Sequence, residues 1–175
     1  MSEHRTLRPT SDEYAPFYAG YVAKVPDGDV LATLAHGVEE TAGVLDGVPE
    51  ETAERGYAPG KWTLKEVLQH CTDAERIFAY RALRIGRGDT TDLAGWNEET
   101  YAPMSRANDR TMASLVDEFR TVRESTLSLL EGLPADAWTR RGRADGREVT
   151  VRGVVWITAG HLLHHLGIIR ERYLA

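Results

Sequence analysis

Residues 151–160, VRGVVWITAG, are apolar around almost the whole circumference of a helix. A helix with no polar face has to be covered by protein on most sides. The segment runs on as HLLHHLGIIRERY, so one helix is predicted from about Thr150 to about Tyr173. Gly153, Ala159 and Gly160 fall inside it. Glycine lowers helix propensity, and such small residues are expected where another backbone or a ligand comes close.

Three further helical segments are available to cover it. Leu31, Leu34, Val38, Ala42 and Leu45 recur at helical spacing after the turn Pro26-Asp27-Gly28-Asp29, which predicts a helix over Val30–Asp46 with Asp29 as its N-cap. Gly56-Tyr57-Ala58-Pro59-Gly60 breaks the chain, and Thr63-Leu64-Lys65-Glu66 then has the form of a capping box. The helix it opens is predicted to reach about Ile85. A third helix is predicted from near Arg110, capped by Asn108 or Asp109, to Gly132-Leu133-Pro134. Residues 1–10 read as a loose arm, and a short helix is expected over Asp12–Tyr21 with Pro16 in its first turn. Residues 87–109 and the arginine-rich stretch 135–149 read as polar connections without strand signal. The sum is an all-α four-helix bundle. The long connections after the first and second helices permit crossovers, so simple up-down order does not follow.

The chain has 175 residues and a net charge of −6. That length suits one domain. The acidic balance argues against nucleic acid as the main partner. No apolar run reaches the roughly 20 residues of a membrane span, the opening MSEHRTLRPTSDEY lacks the apolar stretch of a signal peptide, and the lone Cys71 can make no internal disulfide. The expectation is a cytoplasmic protein. No GxGxxG, P-loop, GxSxG or HExxH motif is present.

The chemistry-bearing residues are histidines. His161 and His165 are four apart in the last helix, and His70 lies on the apolar face of the second with Val67, Ala74 and Ile77. An i, i+4 pair projects from one helix face, and buried imidazoles need partners. One ring from a facing helix would complete a three-nitrogen cup with an open coordination position, as a catalytic metal requires. Spacing alone separates His165 from His164 only weakly as the partner of His161. Asp73 is placed to accept the second N–H of an imidazole, or, like Glu75, to act as a base. Cys71 reads as a small core residue. His4 and His36 read as surface. Trp62, Trp96, Trp138 and Trp156 read as core, with a pocket wall in the long connection as the alternative for Trp96. The arginines of 140–147 read as a solvated loop.

RPTSDEYAPFYAGYVAKVPDGDVLATL, GKWTLKEVLQHCTDAER and LEGLPADAWTRRGRADGREVTVRGVVWITAGHLLHHLGIIRERY together resemble the DinB/YfiT-like superfamily of metal-binding four-helix bundles. The resemblance covers nearly the whole chain, residues 1–175, as a single domain. It implies up-down-down-up topology after a short N-terminal helix, ligands at His70, His161 and His165 rather than His164, and frequent homodimers. It also implies a divalent ion, zinc or nickel first and iron or manganese after them. Some members resemble thiol S-transferases that use low-molecular-weight thiols, and others a thiol-dependent maleylpyruvate isomerase. The expectation is therefore a metal-dependent enzyme that transfers a small thiol to an electrophilic small molecule. The alternatives are a hydrolase working through activated water and a non-catalytic metal-binding stress-response protein.

Overall fold

Each long helix begins at a side chain that accepts a hydrogen bond from its own first turn. Asp29 accepts from Leu31 N at 2.9 Å, Thr63 from Glu66 N at 3.1 Å, Thr111 from Ser114 N at 3.2 Å and Thr150 from Gly153 N at 2.9 Å. These contacts satisfy backbone donors that a helix cannot satisfy itself. At Thr63 the exchange is mutual, because Thr63 N donates to Glu66 Oε2 at 2.8 Å. The computed structural model describes residues 3–175. Its bundle helices are α1 (Val30–Leu45), α2 (Leu64–Gly86), α3 (Met112–Glu131) and α4 (Val151–Ile168). The last turn, Ile169–Tyr173, widens to π geometry.

Side-chain contacts fix the helix directions. Gln69 and Arg76 of α2 meet Arg110, just before α3, and Glu118 within it, so α2 and α3 run parallel. His70, early in α2, meets His161 late in α4, so these two are antiparallel. A Cβ at Gly37 of α1 would touch Leu162 of α4, and Glu40 pairs with Arg170, so α1 and α4 are parallel. The order is up-down-down-up. α1 and α2 sit on one diagonal of the bundle, and α3 and α4 occupy the other.

α4 is buried on nearly every side, as its apolar circumference requires. Its small residues admit neighbouring backbone: a side chain at Gly153 would strike the Glu13 carbonyl, and one at Gly160 the Tyr21 carbonyl. The core falls into two apolar clusters, one about Trp138 and Trp156, the other about Leu64, Leu115, Phe119 and Leu166. Cys71 belongs to the second. Arg123 of α3 pairs with Glu75 of α2, both side chains no more than 2% exposed.

Several expectations are corrected. The described part of residues 1–10 is anchored: Glu3–Thr6 is a helical turn, and Arg8 donates to the Val22 and Val25 carbonyls at 2.7 Å and covers the Trp156 ring. Met1 and Ser2 lie outside the described residues. The expected helix over Asp12–Tyr21 is a 3-10 turn Pro16–Tyr18 leading into Ala19–Val22. α3 is capped by Thr111 rather than Asn108 or Asp109, because Asn108 is engaged by Thr63 Oγ1 at 2.8 Å. The polar stretch before α4 is a hairpin of β2 (Arg141–Ala144) and β3 (Arg147–Thr150), joined on its other edge by β1 (Asp92–Leu93). Its turn is Asp145-Gly146, with φ of 55° and 71°, the pair of left-handed residues that closes a tight hairpin. β2 alternates arginine with Gly142 and Ala144, and β3 opens on Arg147-Glu148, so neither strand carries the apolar alternation that marks a strand in sequence. The connection 87–109 also holds a short helix, Glu98–Met104, capped by Asn97. No helix among the described residues is long and apolar enough to cross a membrane.

Candidate metal centre

Two crossing helices aim three rings at one point. α2 presents His70 in its second turn, and α4 presents His161 and His165 from successive turns of one face. The Nε2 atoms of His70 and His161 are 2.9 Å apart, and those of His161 and His165 are 3.2 Å apart. All three ligand atoms lie within 4.8 Å of one another. His164 is not in this group; its ring packs on Tyr21 with centroids 5.1 Å apart.

The surroundings are aromatic. Trp62 and Trp96 flank His70 with centroids at 4.9 and 5.6 Å, the latter stacked. Phe78 and Tyr21 meet His161 edge-on at 5.8 and 5.5 Å. Burial in this box disfavours the charged imidazolium. It lowers His70 to about 4 and His165 to about 3, and it lowers His161 well below the ordinary value, with the neighbouring rings adding to the effect at His161 and His165. At neutral pH all three rings are neutral and carry a lone pair on one nitrogen each.

Three such rings cannot satisfy one another well. An imidazole nitrogen has one in-plane lone pair or one proton, so His161 Nε2 can make one good hydrogen bond but faces two neighbours. A divalent ion suits them better. Two nitrogens each about 2.1 Å from one ion, at angles of about 90–110°, stand about 3.0–3.4 Å apart, close to the spacing found. Imidazole nitrogen suits zinc, nickel, iron and copper alike.

Asp73 does not orient an imidazole. It accepts from Gln69 Nε2 at 3.0 Å and faces Arg76 at 3.6 Å, while His70 Nδ1 is buried with no partner. Glu75 is not free to act as a base, because both its oxygens accept from Arg123, at 2.6 and 2.7 Å. The carboxylates on the histidine side come instead from the short helix of the long connection. Glu98 exerts its charge on His70 and Tyr21. Glu99 lines a cavity of about 320 Å³ together with His165, Trp62, Lys61 and Tyr173. Sequence reasoning missed both, although Asn97-Glu98-Glu99 has the form of a capped, acidic first turn. Trp62 and Trp96, both read as core with a pocket wall as the alternative for Trp96, border the histidines. His36 is exposed, as read. His4, read as surface, is half-buried and leans on Trp138 at 5.1 Å.

The comparisons agree with this fold. The family model described as DinB superfamily matches residues 33–169, a span that includes all three histidines. YfiT from Bacillus subtilis superposes with a TM-score of 0.72 over 94% of this chain and 90% of that one, at 13% identity. That structure is described as a probable metal-dependent hydrolase with an unusual four-helix bundle topology. No curated protein matches the chain.

Proposed function

The chain belongs to the DinB superfamily, and on that premise we propose that it is a divalent-metal-dependent hydrolase acting on a small molecule. The observation that carries the reading is the convergence of three neutral Nε2 atoms from two helices. Three protein ligands leave coordination positions for solvent and substrate, whereas a purely structural ion is usually closed by four. The description of YfiT as a probable metal-dependent hydrolase points the same way.

His70, His161 and His165 would hold the ion. Bound there, a divalent ion would supply Lewis acidity for a water and for a carbonyl or phosphoryl group. Trp62, Trp96, Phe78 and Tyr21 keep bulk solvent away from the rings, which strengthens every electrostatic interaction inside. Glu98, the carboxylate whose charge reaches His70, would accept a proton from water at the centre. The cavity beside His165, walled by Trp62 and Tyr173, gives access to the rings.

The test loads the purified chain with zinc or nickel. It then assays a panel of esters, amides and phosphoesters with and without added low-molecular-weight thiol. Hydrolysis without thiol, lost in His161→Ala, is the expected result. Glu98→Gln should lower kcat by about a hundredfold while leaving metal content unchanged. Turnover that appears only with added thiol would reassign the same centre to thiol S-transfer. Metal binding without any turnover would leave a non-catalytic metal-binding protein.

A further inference from the structure

Arg81 follows His70 by three helical turns on nearly the same face of α2, about 16 Å further along the axis. It is 4% exposed, yet no carboxylate pairs with it among the described residues. Its Nη2 donates to the Ala94 carbonyl at 3.1 Å, its guanidinium lies 6.0 Å from the Phe78 ring centre, and its Nε is buried without a partner. Arg123, equally buried, has both oxygens of Glu75. Burying a cation without its anion is expensive, so Arg81 needs a reason to be where it is.

That reason is the space in front of it. Arg81 lines a cavity of about 280 Å³ whose wall also includes Arg147, Phe17 and Trp96. Arg147 makes no ion pair among the described residues either. Trp96 joins this cavity to the histidines, since the same ring stacks on His70. Glu98 and Asp145 are the acidic groups on its wall. Two cations are therefore balanced by two carboxylates, so a single negative charge on an apolar body is accommodated better than a dianion. A guanidinium also matches a carboxylate in planar, two-point geometry.

We propose that Arg81, assisted by Arg147, forms an anion subsite for the carboxylate of an elongated organic acid. Its carbon body lies against Trp96 and Phe17. Resting on the hydrolase reading, its reacting end extends past Trp96 towards His70. The anion subsite itself needs no metal.

The experiment titrates the full chain, both metal-free and zinc-loaded, with phenylbutyrate, neutral phenylbutyramide and inorganic phosphate. Binding is followed by calorimetry and by tryptophan fluorescence, for which Trp96 is the reporter. Phenylbutyrate should bind both forms and outbind the other two probes. Arg81→Gln should weaken it by about ten- to a hundredfold. Arg147→Gln, at an exposed position that does not put folding at risk, should weaken it by several-fold. If Arg81→Gln fails to fold, Arg147→Gln and the acid-against-amide comparison decide. Equal binding of acid and amide, binding only to the zinc-loaded form, or indifference to both substitutions would overturn the proposal. Phosphate binding more tightly than phenylbutyrate would overturn the assignment to a carboxylate. A chain that binds phenylbutyrate through Arg81 but hydrolyses nothing would retain the subsite and lose only the hydrolase reading.

Discussion

His70 Nε2 stands 2.9 Å from His161 Nε2 although 91 residues separate them. The contact exists because α2 and α4 run antiparallel and in contact, which places the second turn of one beside the late turns of the other. His165, one turn beyond His161, completes the group. The geometry is thus a property of the bundle topology and not of a local motif.

The buried rings couple folding to pH. In the unfolded chain a histidine takes up its proton near pH 6.5. In the metal-free folded chain His70 does so near 4 and His165 near 3. The unfolded state therefore binds more protons throughout that window, and the stability these neutral rings contribute above pH 6.5 is lost as pH falls towards 3. Denaturant titrations of the metal-free protein should show falling stability between about pH 6.5 and 5, before carboxylates protonate in number. His70→Ala should flatten that slope. A flat profile in the parent chain would contradict the burial of these rings.

Glu75 and Arg123 tie α2 to α3, and Arg123 Nη1 adds a hydrogen bond to the Leu34 carbonyl of α1. Glu75→Gln leaves a buried guanidinium uncompensated and is expected to cost about 3–5 kcal/mol in denaturant unfolding. Replacing both partners with apolar residues, Glu75→Leu with Arg123→Met, should recover most of the loss. A single replacement as harmless as an average surface change would contradict the pairing.

Gly160 immediately precedes His161, and any side chain there would collide with the Tyr21 carbonyl. Gly160→Ala is expected to destabilise by about 1–3 kcal/mol through overpacking. Because Tyr21 edges His161, the variant should also bind metal more weakly. Calorimetric metal titration beside thermal unfolding separates the two effects. Unchanged stability would mean that the segment about Tyr21 does not pack on α4 as described.

The bundle was legible because its signals are local and redundant. Thr63 and Glu66 announce the start of α2 within four residues, and the unbroken apolar circumference of 151–160 demands a central helix. The histidines followed from those two faces, with His165 preferred to His164 by family resemblance rather than by spacing. What stayed hidden depends on long-range partners. Thr111 caps α3 because Asn108, an equally good cap by type, is held by Thr63. The hairpin was disguised by arginines, although Asp145-Gly146 was a readable turn. Asp73 and Glu75 are on the right helix, but their neighbours Gln69, Arg76 and Arg123 claim them. Arg81 looks in sequence like any solvated arginine of a helix, and only packing shows it buried.

Calorimetric titration of the metal-free chain with zinc and with nickel, repeated on His70→Ala, His161→Ala and His165→Ala, examines the trio itself. One ion per chain is expected in the parent. Each substitution should weaken binding by more than the roughly 10–100-fold that loss of an outer partner costs, while His164→Ala leaves it nearly unchanged. An ion that binds equally well after all three replacements, or no binding to the parent, would contradict the assignment of these rings as a metal centre.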